Sequence, residues 1–290
     1  MIWRRFRRKI NLQQPLMGED IFSDAQVVCL KLLSRHRSID AAIDSQKAKT
    51  SLAKSSPTEL IALLLLQTPR AVKAQQAMDK HPRGYRDRKV RLYELIDFND
   101  AFVSAVLSLK PSERKDFAKR LHTAMVKFSK TQKTPMFFDG QFDAIVHGLS
   151  REIAVYQAAL DLGYDAFMSS RGDDAFGIDM QIRDRTSQRY ANIDTKTRSS
   201  YFFRLRQLQK ERRIRDVQID EALEKGFVEI VNQHNGEDVP IVLLRIDHVE
   251  MGDIIEFNFE DLTAISHKLQ QVLKEKGLSD RGYGRVIAGL

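Results

Sequence analysis

Gly177-Ile178-Asp179-Met180-Gln181-Ile182 and, seven residues on, Tyr190-Ala191-Asn192-Ile193-Asp194-Thr195-Lys196-Thr197 alternate apolar and polar side chains with a period of two. Successive side chains of a strand point to opposite faces, so Ile178, Met180 and Ile182 go to the core and leave Asp179 and Gln181 on the other side. In the second stretch Ala191, Ile193 and Thr195 point inward, while Asn192, Asp194 and Lys196 share the polar face. The residues Arg183 to Arg189 suffice for a hairpin, which brings the two polar faces together.

Outward from this pair the pattern is mixed. Ser150 caps a helix over Arg151 to Leu162 that Gly163 ends, and Ala166 to Ser169, Phe227 to Val231 and Ile241 to Ile246 are further short β-rich runs. Helical periodicity covers Phe203 to Lys225 and Glu260 to Lys276. Upstream, residues 1–140 read as helices with few strand signals. Ser23 caps a segment carrying Ala25, Val28, Leu32 and Leu33, and Ser56-Pro57-Thr58-Glu59 is a capping box with proline at the first helical position. Arg91 to Leu109 follows, and Pro111-Ser112 restarts a helix through Phe117, Leu121, Met125 and Phe128. Polar residues and Pro135 mark a boundary near Thr131 to Asp139. The expected class is α+β: an all-helical domain over 1–138, binding nucleic acid or a partner, then an α/β domain over 139–290 with a central mixed sheet.

Charge divides the same way. Residues 1–140 hold 27 basic and 14 acidic side chains and residues 141–290 hold 20 and 25, so the halves carry +13 and −5. A basic half suits a polyanion, because each neutralised phosphate releases condensed counterions. An acidic half suits clustered carboxylates around a metal ion. With 42% hydrophobic and 30% charged residues the chain can bury a core, which excludes collagen-like and disordered classes. The lone Cys29 excludes a disulfide framework and a cysteine-based zinc cluster. The longest apolar run, Leu60 to Leu66, is too short to cross a bilayer, and Met1 to Ile10 lacks the apolar stretch of a signal peptide, so the expected location is the cytoplasm, away from membranes.

Asp179 and Asp194 on one face can share a metal ion, and Lys196, two residues from Asp194, places an ammonium beside it. Phosphodiester hydrolysis uses those parts: carboxylates hold Mg²⁺, the ion activates water, and a lysine orients that water or offsets developing charge. Glu152, in the first turn of its helix and bordering the stripe Ile153, Tyr156, Leu160, supplies a further carboxylate. Gln181 is a neighbour that tunes the site. A plainer account makes the two aspartates solvent-facing strand residues with Lys196 as a surface partner. Aspartate is depleted in strands, however, and both interrupt β patterns with apolar residues on either side.

Glu152, Asp179 and Asp194-Thr195-Lys196 together resemble the PD-(D/E)xK nuclease superfamily, in which a helical Glu precedes an Asp at the start of a strand and (Asp/Glu)-x-Lys on the next. The stretch Arg151 to Thr197 is most similar to Holliday-junction-resolvase-like and restriction-endonuclease-like members, which often carry a segment like Ser169-Ser170-Arg171-Gly172. The resemblance covers roughly a third of the chain. It implies a restriction-endonuclease-like core, Mg²⁺-dependent DNA cleavage with Mn²⁺ as substitute, and metal contacts from Asp179, Asp194, the Thr195 carbonyl and Glu152. Many such enzymes pair two sites to cut two strands, so a homodimer is the default expectation and no small-molecule cofactor is implied.

Arg198, Arg204, Arg206, Lys210, Arg212 and Arg213, with Tyr201, Phe202 and Phe203 among them, form a basic segment placed to grip phosphates, and Arg171 joins them. The same segment also reads as a solvated amphipathic helix, with Leu205 and Leu208 in an apolar stripe. The resemblance also implies Gln207 and Lys210 near the site, since related folds place a Gln or Lys of this helix there. The arm Arg4 to Lys9 and the loop His81 to Arg91 are other basic candidates. Three rivals remain open at the level of sequence: a nonenzymatic nucleic-acid-binding protein on the same scaffold, an RNA-cleaving enzyme of that fold, and a protein whose helical half docks a partner.

Overall fold

The computed structural model describes residues 20–49, 51–80, 89–169, 171–234, 236–247, 257 and 262–276. The arm Arg4 to Lys9, most of the loop His81 to Arg91, Ser170 and the tail after Gly277 lie outside them. The protein is α+β, with helices around one five-stranded mixed sheet among the described residues.

Before the sheet come α1 (Ile21–Arg35), α2 (Ile39–Lys49), α3 (Pro57–Asp79), α4 (Lys89–Ser108) and α5 (Phe117–Gln132). The expected capping box opens α3: the Ser56 hydroxyl accepts from the Glu59 N–H at 3.3 Å and the Ser56 N–H donates to Glu59 Oε2 at 2.9 Å. At α1 the cap is Asp20 rather than Ser23. The Asp20 carboxylate accepts from the Phe22 N–H, which starts the helix one turn earlier than the apolar pattern suggests. α6 (Asp139–Asp161) follows. Ser150 does not cap this helix. The Ser150 hydroxyl donates to the Val146 carbonyl at 2.7 Å, so the helix runs unbroken through that position and Glu152 lies at mid-helix.

Next come β1 (Asp165–Met168), the short α7 (Arg171–Asp174), β2 (Met180–Arg183), β3 (Tyr190–Lys196), α8 (Arg198–Lys210), α9 (Asp216–Lys225), β4 (Phe227–His234), β5 (Glu237–Arg245) and α10 (Thr263–Lys276). The order across the sheet is β1-β2-β3-β5-β4. β1, β2 and β3 form an antiparallel meander, with Met168 opposite Met180 and Gln181 opposite Asn192. The expected β2–β3 hairpin closes through Asp184, whose carboxylate accepts from the Thr186 N–H and the Ser187 hydroxyl. The chain then crosses over through α8 and α9 and returns as β5, parallel to β3 with Asp194 opposite Leu243; β4 pairs with the far edge of β5. The expected helix Phe203 to Lys225 is two helices. It breaks at Arg212, which takes a left-handed backbone at φ 56°.

Both sheet faces are covered. Met180, Ile182, Ala191, Ile193, Val242 and Leu244 share an apolar cluster with α6, α10 and the earlier helices. Val228, Ile230, Val239, Ile241 and Leu243 pack with Tyr201, Leu205 and Leu208 of α8. Ile178 belongs to this second cluster, not to the first with Met180 as strict alternation requires. The reason is local: β2 begins only at Met180, and Gly177 turns the preceding chain at φ 86°.

Candidate active site

Acidic side chains and a lysine gather where β2 and β3 end beside α6 and α8. β3 has Asp194 and Lys196 on the α8 side, and Thr197 then caps α8 by accepting from the Ser200 N–H, so the helix starts two residues after the lysine. One step beyond the last β2–β3 pair, Met180 with Ile193, the ladder places Asp179 opposite Asp194. Asp179 is anchored by its backbone: its N–H donates to the Ile193 carbonyl at 2.9 Å and its carbonyl accepts from the Ser169 N–H at 3.0 Å. Its carboxylate reaches over the end of β3, where Oδ2 accepts from the Thr195 N–H at 2.6 Å and the Thr195 hydroxyl at 2.8 Å.

Lys196 Nζ forms an ion pair with Asp194 Oδ1 and also donates to the Thr195 carbonyl at 3.2 Å. Gly177 turns the chain beside this pair in a left-handed backbone at φ 86°, where a Cβ would make an ordinary van der Waals contact 3.5 Å from Asp194 Oδ2. Glu152, from α6, and Asp174, from α7, complete the group. Glu152, Asp174, Asp179, Asp194 and Lys196 line one open cleft of about 900 Å³, together with Thr195 and Arg204. α4 forms another wall through Leu95, Ile96 and Asn99. Behind it a recess of about 20 Å³, the size of one water, is lined by Asn99, Ser169, Glu152, Asp174 and Asp179. Asn99 Oδ1 and Ser169 Oγ are buried there without a hydrogen-bond partner among the described residues.

The charges do not balance within the protein. Burial raises the Glu152 carboxyl well above the usual carboxylate range, and the nearby charges of Asp179 and Asp174 push it further. Asp174 is pushed up to about 8, by burial first and then by Asp179. Burial likewise lifts Asp194 to about 7 despite the opposing pull of Lys196. For Lys196, burial disfavours the ammonium, but Asp194, Asp179 and Glu152 outweigh it and hold its pKa above the ordinary lysine value. Near neutral pH the cluster therefore retains protons that ordinary carboxyls would have lost.

That imbalance suits a divalent cation. The donors are all oxygens, from carboxylates and the Thr195 carbonyl, which is the preference of Mg²⁺ and Mn²⁺. Among the described residues, no three Asp, Glu, His or Cys side chains are already gathered at ligand spacing. Asp179 and Asp194 instead have an oxygen engaged by Thr195 and by Lys196 respectively, so binding an ion entails turning those carboxylates.

Of the other expected residues, Gln181 is paired with Asn192, donating from Nε2 to Asn192 Oδ1 at 2.9 Å, and is not among the residues lining the cleft. Arg204 lines the cleft and donates to Gln207 Oε1 at 3.0 Å. Arg198 is exposed, with its guanidinium 5.7 Å from the Phe202 ring centroid. Arg206, Lys210 and Arg212 are exposed. Arg213 is tied to β4 through the Val231 carbonyl and Asn232 Oδ1. The side chain of Arg171 lies outside the described residues. Asp174 and Asn99 escaped the sequence reading. The Asp173-Asp174 pair just before Gly177 was the available signal for one; for the other, in a helix far upstream, there was none.

No protein-family model matches the chain, and no curated protein or solved structure is significantly similar to it. No helix among the described residues is long and apolar enough to cross a membrane.

Proposed function

We propose that this chain is a divalent-metal-dependent DNA endonuclease of the PD-(D/E)xK type on a restriction-endonuclease-like core, acting in the cytoplasm. One observation carries the reading: Glu152, Asp179, Asp194 and Lys196, spread over 45 residues of sequence, line a single open cleft together with the Thr195 backbone. The topology supports it, since a helix bearing the Glu leads into an antiparallel meander bearing the Asp and the Asp-x-Lys, followed by a helical crossover to a parallel strand.

Asp179, Asp194 and the Thr195 carbonyl, with Glu152 adjacent, would hold Mg²⁺ or Mn²⁺, which would supply Lewis acidity and a water of lowered pKa. The protein's own groups do the rest. Lys196 stays protonated, so its ammonium offsets charge growing on the phosphate oxygens and orients the attacking water. Thr195 fixes the Asp179 carboxylate through two hydrogen bonds and so limits the rotamers from which it can turn to the ion. Arg204, in the same cleft, contacts a neighbouring phosphate.

The test is cleavage of supercoiled plasmid, branched and single-stranded DNA by the full chain with Mg²⁺, Mn²⁺ or EDTA. Cleavage that requires metal and is lost in both Asp194→Ala and Lys196→Ala is expected; equal cleavage by wild type and Asp194→Ala overturns the proposal. The scattered spacing of the acidic side chains favours one second reading, a nucleic-acid-binding protein on the same scaffold that does not cut. Salt-sensitive DNA binding with no cleavage under Mn²⁺ identifies it.

A further inference from the structure

The helix that follows Lys196 has two unlike faces. Tyr201, Leu205 and Leu208 are buried against the sheet, and the Tyr201 hydroxyl donates to the Ala222 carbonyl at 3.0 Å. Ser199, Phe203, Arg206 and Lys210 recur at spacings of four, three and four residues, which puts them on one stripe of α8, and all four are exposed. Ser199 and Phe203 line the cleft that holds the carboxyls, and the stripe runs away from it for about 16 Å at the rise of an α-helix. Phe203 is 71% exposed. A single exposed apolar side chain is ordinary, but this one stands at the cleft with two cations following it along the same stripe.

We propose that this stripe is a track for single-stranded DNA: Phe203 stacks on an unpaired base beside the scissile phosphate, and Arg206 and Lys210 contact phosphates farther along. In a duplex both faces of each base are covered by its neighbours, so a ring fixed on a helix meets a base face only where the base has left the stack. Stacking on an aromatic ring tolerates any base, and the cations track the backbone without reading sequence. The favoured substrate is therefore DNA with a single-stranded segment at the cut, such as a flap, a gap or a splayed junction, rather than continuous duplex. The inference rests on the nuclease reading for the position of the cut.

The experiment measures binding of the full chain, in EDTA, to a fluorescent oligo(dT) and to a hairpin duplex of equal charge, for wild type, Phe203→Ala and Phe203→Trp. Because the side chain is exposed, neither variant disturbs packing, and matching thermal melts check this. Phe203→Ala is expected to lose about five- to a hundredfold in single-strand affinity, the range of one base-aromatic stack, with little change for the duplex. Phe203→Trp is expected to retain binding and to lose tryptophan fluorescence when oligo(dT) is added. Unchanged single-strand affinity in Phe203→Ala, or an equal loss on both substrates, overturns the track even if the wild type cuts plasmid. Absence of cleavage under Mn²⁺ with the Phe203-dependent preference intact overturns the nuclease reading and leaves the track in place.

Discussion

Asp174 gives a direct test of the charge imbalance, because replacing it with asparagine removes one carboxyl and keeps the shape. An ordinary aspartate titrates near 3.9, whereas this one titrates at about 8. Between those values the unfolded chain has released the proton and the folded protein still holds it, so the native state binds more protons and stability falls as pH rises. At neutral pH the gap is about three units at roughly 1.4 kcal/mol each, a ceiling near 4 kcal/mol. Asp174 is only partly buried and borders an open cleft, and solvent screening brings that to about 2 kcal/mol. Asp174→Asn should therefore be more stable than wild type by about 2 kcal/mol near pH 7, with the gain shrinking towards zero near pH 4. Urea unfolding followed by circular dichroism, in EDTA at several pH values, measures it. A variant less stable than wild type at every pH, or a gain that does not vary with pH, would refute the argument and make Asp174 an ordinary structural acceptor.

Other consequences can be checked in the same material. Mn²⁺ should raise the melting temperature of wild type, by the equivalent of about 3 kcal/mol at a hundredfold excess over Kd, and leave that of Asp194→Ala nearly unmoved. Gly177→Ala should cost about 1 to 2 kcal/mol in urea unfolding, since the new Cβ must be carried by a left-handed backbone at φ 86°. Tyr201→Phe should cost about 1 kcal/mol, removing one buried hydrogen bond while the Gly226 N–H still donates to the Ala222 carbonyl, and leave DNA cleavage at the wild-type rate.

The strands were legible because the period-two signal of Met180 to Ile182 and Tyr190 to Lys196 survives burial on both faces: the polar side chains that face α8 satisfy one another, as Gln181 and Asn192 do. Helix ends were less legible. Serine has the same appearance in sequence whether its hydroxyl caps a helix, as at Ser56, or bonds back to the preceding turn, as at Ser150, and only the neighbouring carbonyl decides. The break after α8 was hidden because Arg212, an ordinary helix former, adopts a backbone that sequence patterns reserve for glycine or asparagine. Of the site, Asp194 and Lys196 could be found because alternation along β3 assigns them a side, and Asp179 because its pattern runs on into β2. Asp174 could not, because the four-residue α7 has no period from which to predict a direction.

The broken start of β2 explains why polar chemistry collects where it does. Where both faces of a sheet are packed, polar groups become reachable chiefly at strand ends; here the edge strand β4 is the exception, with Glu229 and Val231 exposed. Had the ladder continued back through Gly177, Asp179 would sit above Gln181 as one more residue of the polar face, under α8 and apart from α6. Because the regular strand stops at Met180, the Asp179 carboxylate is released from alternation and swings across the end of β3 to Thr195. That movement brings it to the place where Glu152 approaches from one side of the sheet and Asp194 and Lys196 from the other. The same residues in an unbroken ladder would be two separated acid pairs, each cheaply neutralised. Gathered at a strand end, they share one ammonium among four carboxyls, and this deficit of positive charge is what a metal ion and a phosphodiester are suited to meet.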